Sequence, residues 1–381
     1  MMQKRIGLIT TMADHPWGGS EELWVALANE ALKNGHDVFC SVYNWGELPD
    51  KLKEAQGNGL VVHKRSRISY GQIVGKIKGK VIQKSLAKNQ LHSFVKRTNP
   101  DVLLISMGAF CDVEVDPFRE FLKETKTSFS LIVHVNTERY VINPAKIKEF
   151  REVVKKADCV YFVSKRLREQ AERQLAYRFE NSEIVVNPVN MEEIGVMPYI
   201  DSGTVNFACV GRLQVDVKGH ALLLQILGNE KWKNRDWVLN IYGDGPDRDF
   251  INELICFYGI KHKVELKGFV NNIRKDIWAQ NHLLLMPSYF EGLPIALIEA
   301  MLSGRTAVVT DVGGNSDVLS DGISGFVSEG VSPSSFEKAM DRAWRKKEDW
   351  KNIEETAFSE AKNYLGNNPV PDFLGKLTNE N

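Results

Sequence analysis

Short apolar runs alternate with helix-length segments along this chain, and that alternation limits the fold more than any other feature. Runs such as Arg5–Thr10 and Asp101–Ser106 are apolar without the polar alternation of a half-exposed strand. Strands of that kind are buried on both faces, which is typical of a parallel sheet with helices on either side. We therefore predict an α/β fold with doubly wound parallel sheets.

The predicted strands fall into two successive groups. In the first half they are Arg5–Thr10, Asp37–Val42, Asp101–Ser106, Ser130–Val135, Cys159–Ser164 and Glu183–Val186. In the second half they are Asn206–Val210, Val238–Tyr242, Lys263–Lys267, Leu283–Met286, Thr306–Thr310 and Gly325–Val327. Helices are predicted between the later strands at about 219–228, 247–258, 271–278, 294–303 and 333–346. A chain of 381 residues is too long for one ordinary core, so each group is assigned its own sheet.

The boundary between the groups is predicted at the segment 187–189, because its Asn-Pro-Val sequence is typical of a hinge. We predict an N-terminal Rossmann-like domain of residues 1–190 and a C-terminal Rossmann-like domain of residues 191–381. The tail after Ala361 contains Pro369 and Pro371 and is predicted to be irregular. Whether this tail packs back on the first domain is left open.

The formal net charge is zero, but the two halves differ in charge. Residues 1–190 hold 29 basic and 22 acidic side chains, and the rest hold 20 and 27. Residues 55–100 contain ten basic side chains and no Asp or Glu. Apolar residues are interspersed over residues 64–97, so this stretch is either a solvated basic face or a contact for an anionic membrane or a phosphate-bearing lipid-linked acceptor. No nucleic-acid partner is predicted for a chain whose charges balance.

Several classes of protein are excluded by what the sequence lacks. No apolar run approaches the roughly 18 residues of a membrane span, and the N-terminus lacks a small-residue cleavage site. Five scattered cysteines without a C-x-x-C pair predict neither a disulfide framework nor a zinc site. We therefore expect a cytoplasmic protein, peripheral on the inner face of the membrane if the basic stretch binds lipid.

A glycine pair follows the first predicted strand. Gly18 and Gly19 stand in W-G-G-S-E, directly before a predicted helix. Glycines let a ligand approach the backbone, and a helix N-terminus favours an anion. The same residues also fit plain turn and cap chemistry, and neither GxxxxGK[ST] nor G-x-G-x-x-G follows this strand. The motif alone therefore leaves a phosphate or sugar site and a structural turn as alternatives.

Two cations follow the first strand of the second half. Arg212 comes directly after the strand and Lys218 precedes the next helix. Ligands bind outside the carboxyl ends of strands in open α/β sheets. The planar fork of the Arg and the point charge of the Lys suit a diphosphate there. A solvated charge pair is an equally good interpretation of these two residues alone.

The segment E-G-L-P-I-A-L-I-E combines a turn with an apolar helix. Pro294 stands where the helix would begin, and Gly292 and Leu293 would present backbone N–H groups there. Glu291 ends the preceding loop, and Glu299 lies inside the helix among apolar residues. A carboxylate in apolar surroundings needs a partner, and a ribose diol is a suitable one.

These motifs together carry a family resemblance. The G-R-L…K-G segment, the Y-G-D-G-P turn at 242–246 and above all the two glutamates of E-G-L-P-I-A-L-I-E resemble the retaining GT-B glycosyltransferases of family 4. The D-V-G-G-N turn at 311–315 and D-G-I-S-G-F at 321–326 also resemble segments of that family. The resemblance is specific over residues 206–330 and looser over residues 1–190. It implies two Rossmann-like domains that face each other across a cleft.

The resemblance also implies a role for individual residues. Arg212 and Lys218 would hold the donor diphosphate, although five residues separate them where four are usual. His134, at the end of the predicted strand Ser130–Val135, matches the family's active-site histidine. The catalytic set would be His134, Glu291, Arg212 and Lys218. The donor-binding set would be Gly18, Gly19, Arg212, Lys218, Gly268, Phe269, Val270, Glu291, Gly292, Leu293, Pro294, Ile295 and Glu299.

The implied chemistry is transfer of a hexosyl unit from a nucleotide-diphosphate sugar to a saccharide or lipid-linked hydroxyl, with retention and as part of polysaccharide biosynthesis. Fixed cations would stabilise the leaving diphosphate, so no metal and no cofactor are predicted. The D-R-D at 247–249 is interpreted as helix capping and not as a metal site. The alternatives are an epimerase or hydrolase on the same fold and a non-catalytic glycan- or nucleotide-binding module. The base, UDP, GDP or ADP, is left open.

Overall fold

The computed structural model describes residues 2–13, 16–66, 77–114, 117–138, 140–189, 191 and 193–379, with the backbone alone for 77–85, 113 and 114. The chain divides into two compact units. The first unit comprises Met1–Pro188 together with Asn367–Asn381, and the second comprises Val189–Gly366.

The described part of the first unit is built on a seven-stranded parallel sheet. Its strands are β1 Arg5–Thr10, β2 Asp37–Tyr43, β3 Val61–Arg65, β4 Val102–Met107, β5 Phe129–Val133, β6 Val160–Phe162 and β7 Ser182–Ile184. Their order is β3-β2-β1-β4-β5-β6-β7, and each adjacent pair is parallel. The order reverses between β1 and β4, so the carboxyl ends of these two strands flank the crevice where such sheets bind ligands.

Helices connect these strands. They are α1 Gly19–Lys33, α2 Asp50–Gly57, α3 Ile77–Thr98, α4 Phe118–Glu124, α5 Ile147–Lys156 and α6 Lys165–Leu175. Two 3₁₀ turns lie at Phe110–Glu114 and Pro144–Lys146. In α1 the side chains of Leu23, Leu27 and Ala31 are fully buried, at the three- and four-residue spacing of an amphipathic helix.

The second unit repeats the plan with a six-stranded sheet. Its strands are β8 Val205–Val210, β9 Trp237–Tyr242, β10 Val264–Gly268, β11 Leu283–Met286, β12 Thr306–Thr310 and β13 Phe326–Ser328. Their order is β10-β9-β8-β11-β12-β13, again all parallel. The reversal falls between β8 and β11, which follow each other in the sheet but lie more than 70 residues apart in the chain.

The helices of the second unit are α7 Val215–Lys218, α8 His220–Leu227, α9 Glu230–Lys233, α10 Arg248–Phe257, α11 Ile295–Leu302, α12 Asn315–Val318, α13 Pro333–Arg345 and α14 Trp350–Leu365. A π-helical turn lies at Arg274–Trp278, and a 3₁₀ turn at Lys347–Asp349. The core of this unit packs Phe207 and Leu285 of the sheet against Trp232 and Phe336. No helix in the described part of the chain is long and apolar enough to cross a membrane.

The prediction of two doubly wound parallel sheets is confirmed, and one local expectation is wrong. The tail is helical: α14 runs to Leu365, and Pro369–Thr378 forms a further helix, α15. This last helix packs on α1, and its Phe373 ring contacts Tyr161 of β6. Lys376 also pairs with Glu183 at 2.7 Å. The tail therefore belongs to the first unit.

In the described part of the basic stretch, Lys64, Lys96 and Arg97 are exposed, whereas Arg65 turns inward. Arg65 is 4% exposed, and its guanidinium donates to the carbonyls of Ser41 and Thr10 while stacking over Tyr43. Lys88 pairs with Glu124. Residues 67–76 of this stretch lie outside the described residues, as do the side chains of 77–85.

Candidate functional site

The first predicted element of the site is the loop that leaves β8. It passes Gly211 and the exposed Arg212 and returns towards the sheet at Leu213. Two glycines after β9 allow the neighbouring turn to pack against it. A Cβ on Gly243 would lie 2.1 Å from the carbonyl oxygen of Gly211, and one on Gly245 would lie 2.4 Å from that of Leu213. The Y-G-D-G-P turn is therefore needed for backbone-to-backbone contact with the loop that carries Arg212.

Lys218 is the last residue of the short helix α7. Gly219 follows with φ +69°, and a Cβ there would lie 2.1 Å from the carbonyl oxygen of Pro287. Tyr289 N–H also donates to the carbonyl of Val217 at 2.8 Å. The helix that carries Lys218 is thus pressed against the loop that leaves β11.

That contact brings Lys218 to Glu291. The Lys218 Nζ lies 2.7 Å from Glu291 Oε1, and Ser288 Oγ donates to the same oxygen at 2.6 Å. The side chain of Glu291 is 8% exposed and that of Lys218 24%. The sequence analysis singled out both charged residues but not their pairing with each other. It missed Ser288, although this residue stands only three positions before Glu291.

The loop after β12 packs against the backbone of the segment that carries Glu291. Gly313 has φ +53°, and a Cβ there would lie 2.3 Å from the carbonyl oxygen of Glu291. Gly314 N–H donates to the carbonyl of Gly292 at 2.8 Å. Thr310 Oγ1 donates to the carbonyl of Ser288 at 2.6 Å. The D-V-G-G-N turn therefore fixes the backbone that presents Glu291.

Helix α11 begins beside this carboxylate. Pro294 is its N-cap residue, and its side chain makes no capping bond. Within the described part of the chain, the N–H groups of Gly292 and Leu293 have no hydrogen-bond acceptor. Free N–H groups and the positive end of the helix dipole attract an anion or a hydroxyl oxygen. Glu299 lies further along the same helix and is 6% exposed.

The segment predicted to lie beside a nucleobase ends β10. Gly268 has φ +72°, and its carbonyl accepts from the N–H of Gly243 at 2.8 Å. Phe269 N–H donates to Asp244 Oδ2 at 3.3 Å, while the Phe269 ring is 73% exposed. Val270, which follows, is half-buried. An exposed aromatic ring on a pinned backbone is a suitable surface for a planar base.

The D-R-D segment lies at the start of α10, as predicted, with Asp247 as its N-cap residue and Asp249 in its first turn. The Asp247 carboxylate makes no cap bond to α10, which begins at Arg248. Its Oδ2 instead accepts from the N–H of Val215 at 2.7 Å. Asp247 therefore tethers α7, the helix that carries Lys218. Among the described residues, no group of three or more His, Cys, Asp or Glu side chains is arranged to hold a metal ion.

In the first unit, the predicted glycines lie at the start of α1. Gly18 is the N-cap residue with extended φ −163°, and Gly19 is the first helical residue. Glu21 N–H donates to the Gly18 carbonyl at 3.1 Å. The Glu21 carboxylate accepts from Thr10 Oγ1 at 3.1 Å and from Ser20 Oγ at 2.6 Å. This network orders the turn between β1 and α1.

His134 follows β5 in the first unit. Its ring is 5% exposed, and Nε2 lies 3.2 Å from Ser106 Oγ at the end of β4. Its Nδ1 has no partner among the described residues. Burial lowers the pKa of His134 to about 3, because the charged imidazolium would lose its hydration. The ring is therefore neutral at physiological pH.

A polar cluster that the sequence analysis missed lies at the same edge of this sheet. Thr11 Oγ1 donates to Asp112 Oδ2 at 2.5 Å, and the N–H of Gly108 donates to Thr11 Oγ1 at 3.0 Å. The N–H of Ala109 donates to the same Asp112 oxygen at 3.0 Å. Thr11 N–H also bonds the Ser106 carbonyl at 2.9 Å. This cluster joins the carboxyl ends of β1 and β4, where the strand order reverses.

The predicted residues thus form two groups. Gly18, Gly19 and His134 belong to the first unit. The second unit holds the group Arg212, Lys218, Gly268, Phe269, Val270, Glu291, Gly292, Leu293, Pro294, Ile295 and Glu299, of which Lys218 and Glu291 are in direct contact.

Comparison with known proteins identifies similar chains. Residues 191–360 match the family model of glycosyl transferases group 1. An uncharacterized glycosyltransferase of Methanocaldococcus jannaschii is 31% identical over 144 residues, 38% of this chain and 34% of that protein. The alpha-D-kanosaminyltransferase of Streptomyces kanamyceticus is 24% identical over 251 residues, 59% of this chain and 64% of that enzyme. The chain therefore spans about a third of the length of one relative and under two thirds of the other.

Similarity in fold covers the whole chain. The crystal structure of Anabaena HepE in complex with UDP and glucose superposes with a TM-score of 0.69 at 14% identity, covering 100% of both chains. Together with the two parallel-sheet α/β units, this similarity establishes the GT-B fold. The match to the family model falls in the second unit, where the predicted donor motifs lie.

Proposed function

We propose that this protein is a retaining, metal-independent glycosyltransferase that moves a hexosyl unit from a nucleotide-diphosphate sugar to a saccharide or lipid-linked hydroxyl. The observation that carries the proposal is the Lys218–Glu291–Ser288 cluster, which lies beside the free amides at the start of α11. The match to glycosyl transferases group 1 supports the class of reaction. The HepE complex with UDP and glucose supports a nucleotide and a hexose as ligands of this fold.

Donor binding would use the cations at the carboxyl ends of β8 and β11. The exposed Arg212 would grip the diphosphate with its planar fork, and Lys218 would supply a second charge. Glu291 Oε1 is occupied by Lys218 and Ser288, while Oε2 accepts no bond from described residues. That free oxygen would accept hydroxyl groups of the donor sugar. Glu299 would accept the ribose hydroxyls.

The chemical step follows from the charges. The acceptor oxygen would bond to the anomeric carbon as the bond from that carbon to the diphosphate oxygen breaks. The acceptor proton would pass to the departing diphosphate on the same face, which retains the anomeric configuration. Arg212, Lys218 and the N–H groups of Gly292 and Leu293 would stabilise the negative charge that develops there, in place of a metal.

His134 would act in its neutral form. A neutral imidazole offers one N–H donor and one acceptor, and Ser106 already contacts one ring nitrogen. The unpartnered Nδ1 would bond a hydroxyl of the transferred sugar. A role as a cationic acid is not expected, because burial holds the pKa of this ring at about 3.

Turnover and stereochemistry test the proposal. Purified protein with EDTA is incubated with UDP-, GDP- and ADP-hexoses, and the anomeric configuration of the released or transferred sugar is read by proton NMR. We expect an α-linked donor to yield an α product and Glu291→Gln to lose at least about 100-fold in rate. Glu329→Gln, an exposed carboxylate of the same unit, is the control. An inverted product, an absolute requirement for a divalent metal, or unchanged turnover in Glu291→Gln would overturn it.

Contact between the basic stretch and a membrane is a separate proposal. Helix α3 carries much of this stretch, and Lys96 and Arg97 lie at its exposed C-terminal end. A Lys76/Lys78/Lys80/Lys84→Gln variant is compared with the wild type by sedimentation with anionic vesicles. Salt-sensitive binding that the variant loses would support the contact, and equal, negligible binding would exclude it.

A further inference from the structure

An aromatic cleft in the first unit has no part in the chemistry above. It opens at the carboxyl ends of β1 and β2, between α1 and the segment that leads into α2. Four aromatic side chains line it: Trp17, Trp24, Tyr43 and Trp45. The enclosed space is about 20 Å³, which is room for one ammonium-sized group, and the rest of the cleft is open to solvent.

One buried carboxylate faces this cleft without a cation to balance it. Glu21 is 3% exposed and lines the cleft. Its two oxygens accept from the hydroxyls of Thr10 and Ser20, and no cation pairs with it among the described residues. Burial raises the pKa of Glu21 above its ordinary value, because these neutral donors offset desolvation only in part. Buried carboxylates are normally paired with a cation.

The cations near the cleft are engaged elsewhere. Lys51 pairs with Glu22 at 2.6 Å, and Lys53 pairs with Glu47 at 2.6 Å on the exposed rim. The guanidinium of Arg65 is held by the carbonyls of Thr10 and Ser41. In the described part of the lining there is no Lys, Arg or His, whereas Glu21 and Glu47 both contribute to it.

We propose that this cleft binds the protonated amino group of an amine-bearing acceptor, such as an amino sugar. A cation over the faces of Trp and Tyr rings is attracted by their quadrupoles, most strongly where water is excluded. Glu21 supplies the opposite charge at the base of the cleft. The role of this cleft as an acceptor subsite rests on the proposed glycosyl transfer, whereas amine binding by the cleft does not.

The same groups argue against other occupants. A phosphate or carboxylate would meet the buried Glu21 carboxylate, with no cation among the described lining residues. A neutral pyranose could stack on the rings but would leave the Glu21 carboxylate buried and unpaired. The charge of the amine is therefore the feature that the experiment must isolate.

Three sugars of the same ring separate charge from shape. Glucosamine carries an ammonium group, glucose carries a hydroxyl at the same carbon, and N-acetylglucosamine carries a neutral amide. Binding of each is measured at pH 6.5 by tryptophan fluorescence and calorimetry. We expect glucosamine to bind and the two neutral sugars to bind at least about tenfold more weakly. Equal affinities for glucosamine and glucose, or no binding of glucosamine, would overturn the inference.

Variants of the lining residues show where glucosamine binds. Glu21→Gln keeps the hydrogen-bond acceptor for Thr10 and removes the charge, so glucosamine affinity should fall by about 30-fold or more. Trp45→Leu should weaken binding by several-fold through loss of one aromatic face. Glu30→Gln, on the same helix but outside the cleft lining, should leave it unchanged. Unaltered binding in Glu21→Gln would contradict the proposal.

Two further measurements distinguish a failure of this inference from a folding defect of the variants and from a failure of the proposed function. Thermal unfolding of each variant detects a structural defect, and a Glu21→Gln protein that melts with the wild type keeps the test valid. If that variant is unstable, Trp45→Leu carries the test alone. Nucleotide binding by the second unit is measured in parallel. Glucosamine binding without nucleotide binding would refute the proposed glycosyl transfer and support the amine site in the cleft. Nucleotide binding without glucosamine binding would refute only the amine site.

Discussion

Replacing Lys218 should show how much its ion pair with Glu291 contributes to the free energy of unfolding. The Glu291 carboxylate is 8% exposed in the wild type, and in Lys218→Met it would keep only the Ser288 hydroxyl as a partner. Breaking a fully buried pair costs 3–5 kcal/mol, and Lys218 is 24% exposed, so we expect a loss of about 2 kcal/mol. Glu291→Gln keeps the acceptor for Ser288 and should cost about 1 kcal/mol. The double variant should cost less than the sum, with a coupling energy of about 1–2 kcal/mol.

Urea unfolding followed by tryptophan fluorescence measures this cycle, because five of the eight tryptophans lie in the second unit. The control is Arg342→Met with Asp321→Asn, an exposed bidentate pair of the same unit with two 2.9 Å bonds. Its coupling should stay below about 1 kcal/mol. Additive effects of Lys218→Met and Glu291→Gln would refute the pairing on which the proposed site depends.

Three further predictions follow from the structure. Gly219→Ala should lower the free energy of unfolding in urea by about 3 kcal/mol or more, because its Cβ would lie 2.1 Å from the Pro287 carbonyl oxygen. Gly322→Ala has a similar φ but open space around its Cβ and should cost only about 1 kcal/mol. Equal losses in the two variants would contradict the contact. Burial raises the pKa of Glu354 to about 7, even though Arg305 at 3.7 Å opposes the shift. The protonated carboxyl therefore stabilises the fold fully below about pH 4.5, and this stabilisation is lost as pH rises through 7. Glu354→Gln should remove about 2.5 kcal/mol of the stability difference between pH 5 and 8, and parallel wild-type and variant profiles would refute this. The ring of His134 should stay neutral down to about pH 4 in nitrogen-15 NMR, and a titration near pH 6.5 would contradict its burial.

The sheets were predictable because their strands are buried on both faces. A run such as Asp101–Ser106 needs no knowledge of its neighbours to be recognised as a central strand. The edge strand β3, Val61–Arg65, was missed because it is partly exposed and ends in two cations. Only the fold reveals that Arg65 turns inward, where the carbonyls of β1 and β2 replace its water.

The C-terminal helix was missed for a different reason. Pro369 and Pro371 suggest a break in the chain, yet proline is well tolerated in the first turn of a helix. The apolar residues Phe373, Leu374 and Leu377 are buried only because the helix packs on the first unit. Local sequence carries no information about a partner surface more than 300 residues earlier in the chain.

The charged residues of the candidate site were predictable one at a time, and their contacts were not. Lys218 and Glu291 are 73 residues apart in sequence and meet because β8 and β11 are neighbours at the reversal of the sheet. Asp247 was assigned to its own helix because acidic residues at helix starts are common. Its actual partner, Val215, lies on a different loop of the same crevice. Pairings of this kind follow from topology and not from local pattern.

Calorimetry of UDP, GDP and ADP in EDTA, with the wild type and Arg212→Met, tests the central claim most directly. The account predicts that one of these nucleoside diphosphates binds without a divalent metal and that Arg212→Met weakens it at least about tenfold, since a charge-assisted bond is worth roughly 1.5–3 kcal/mol. Binding by neither protein, or equal binding by both, would contradict a nucleotide-sugar site at the carboxyl ends of β8 and β11.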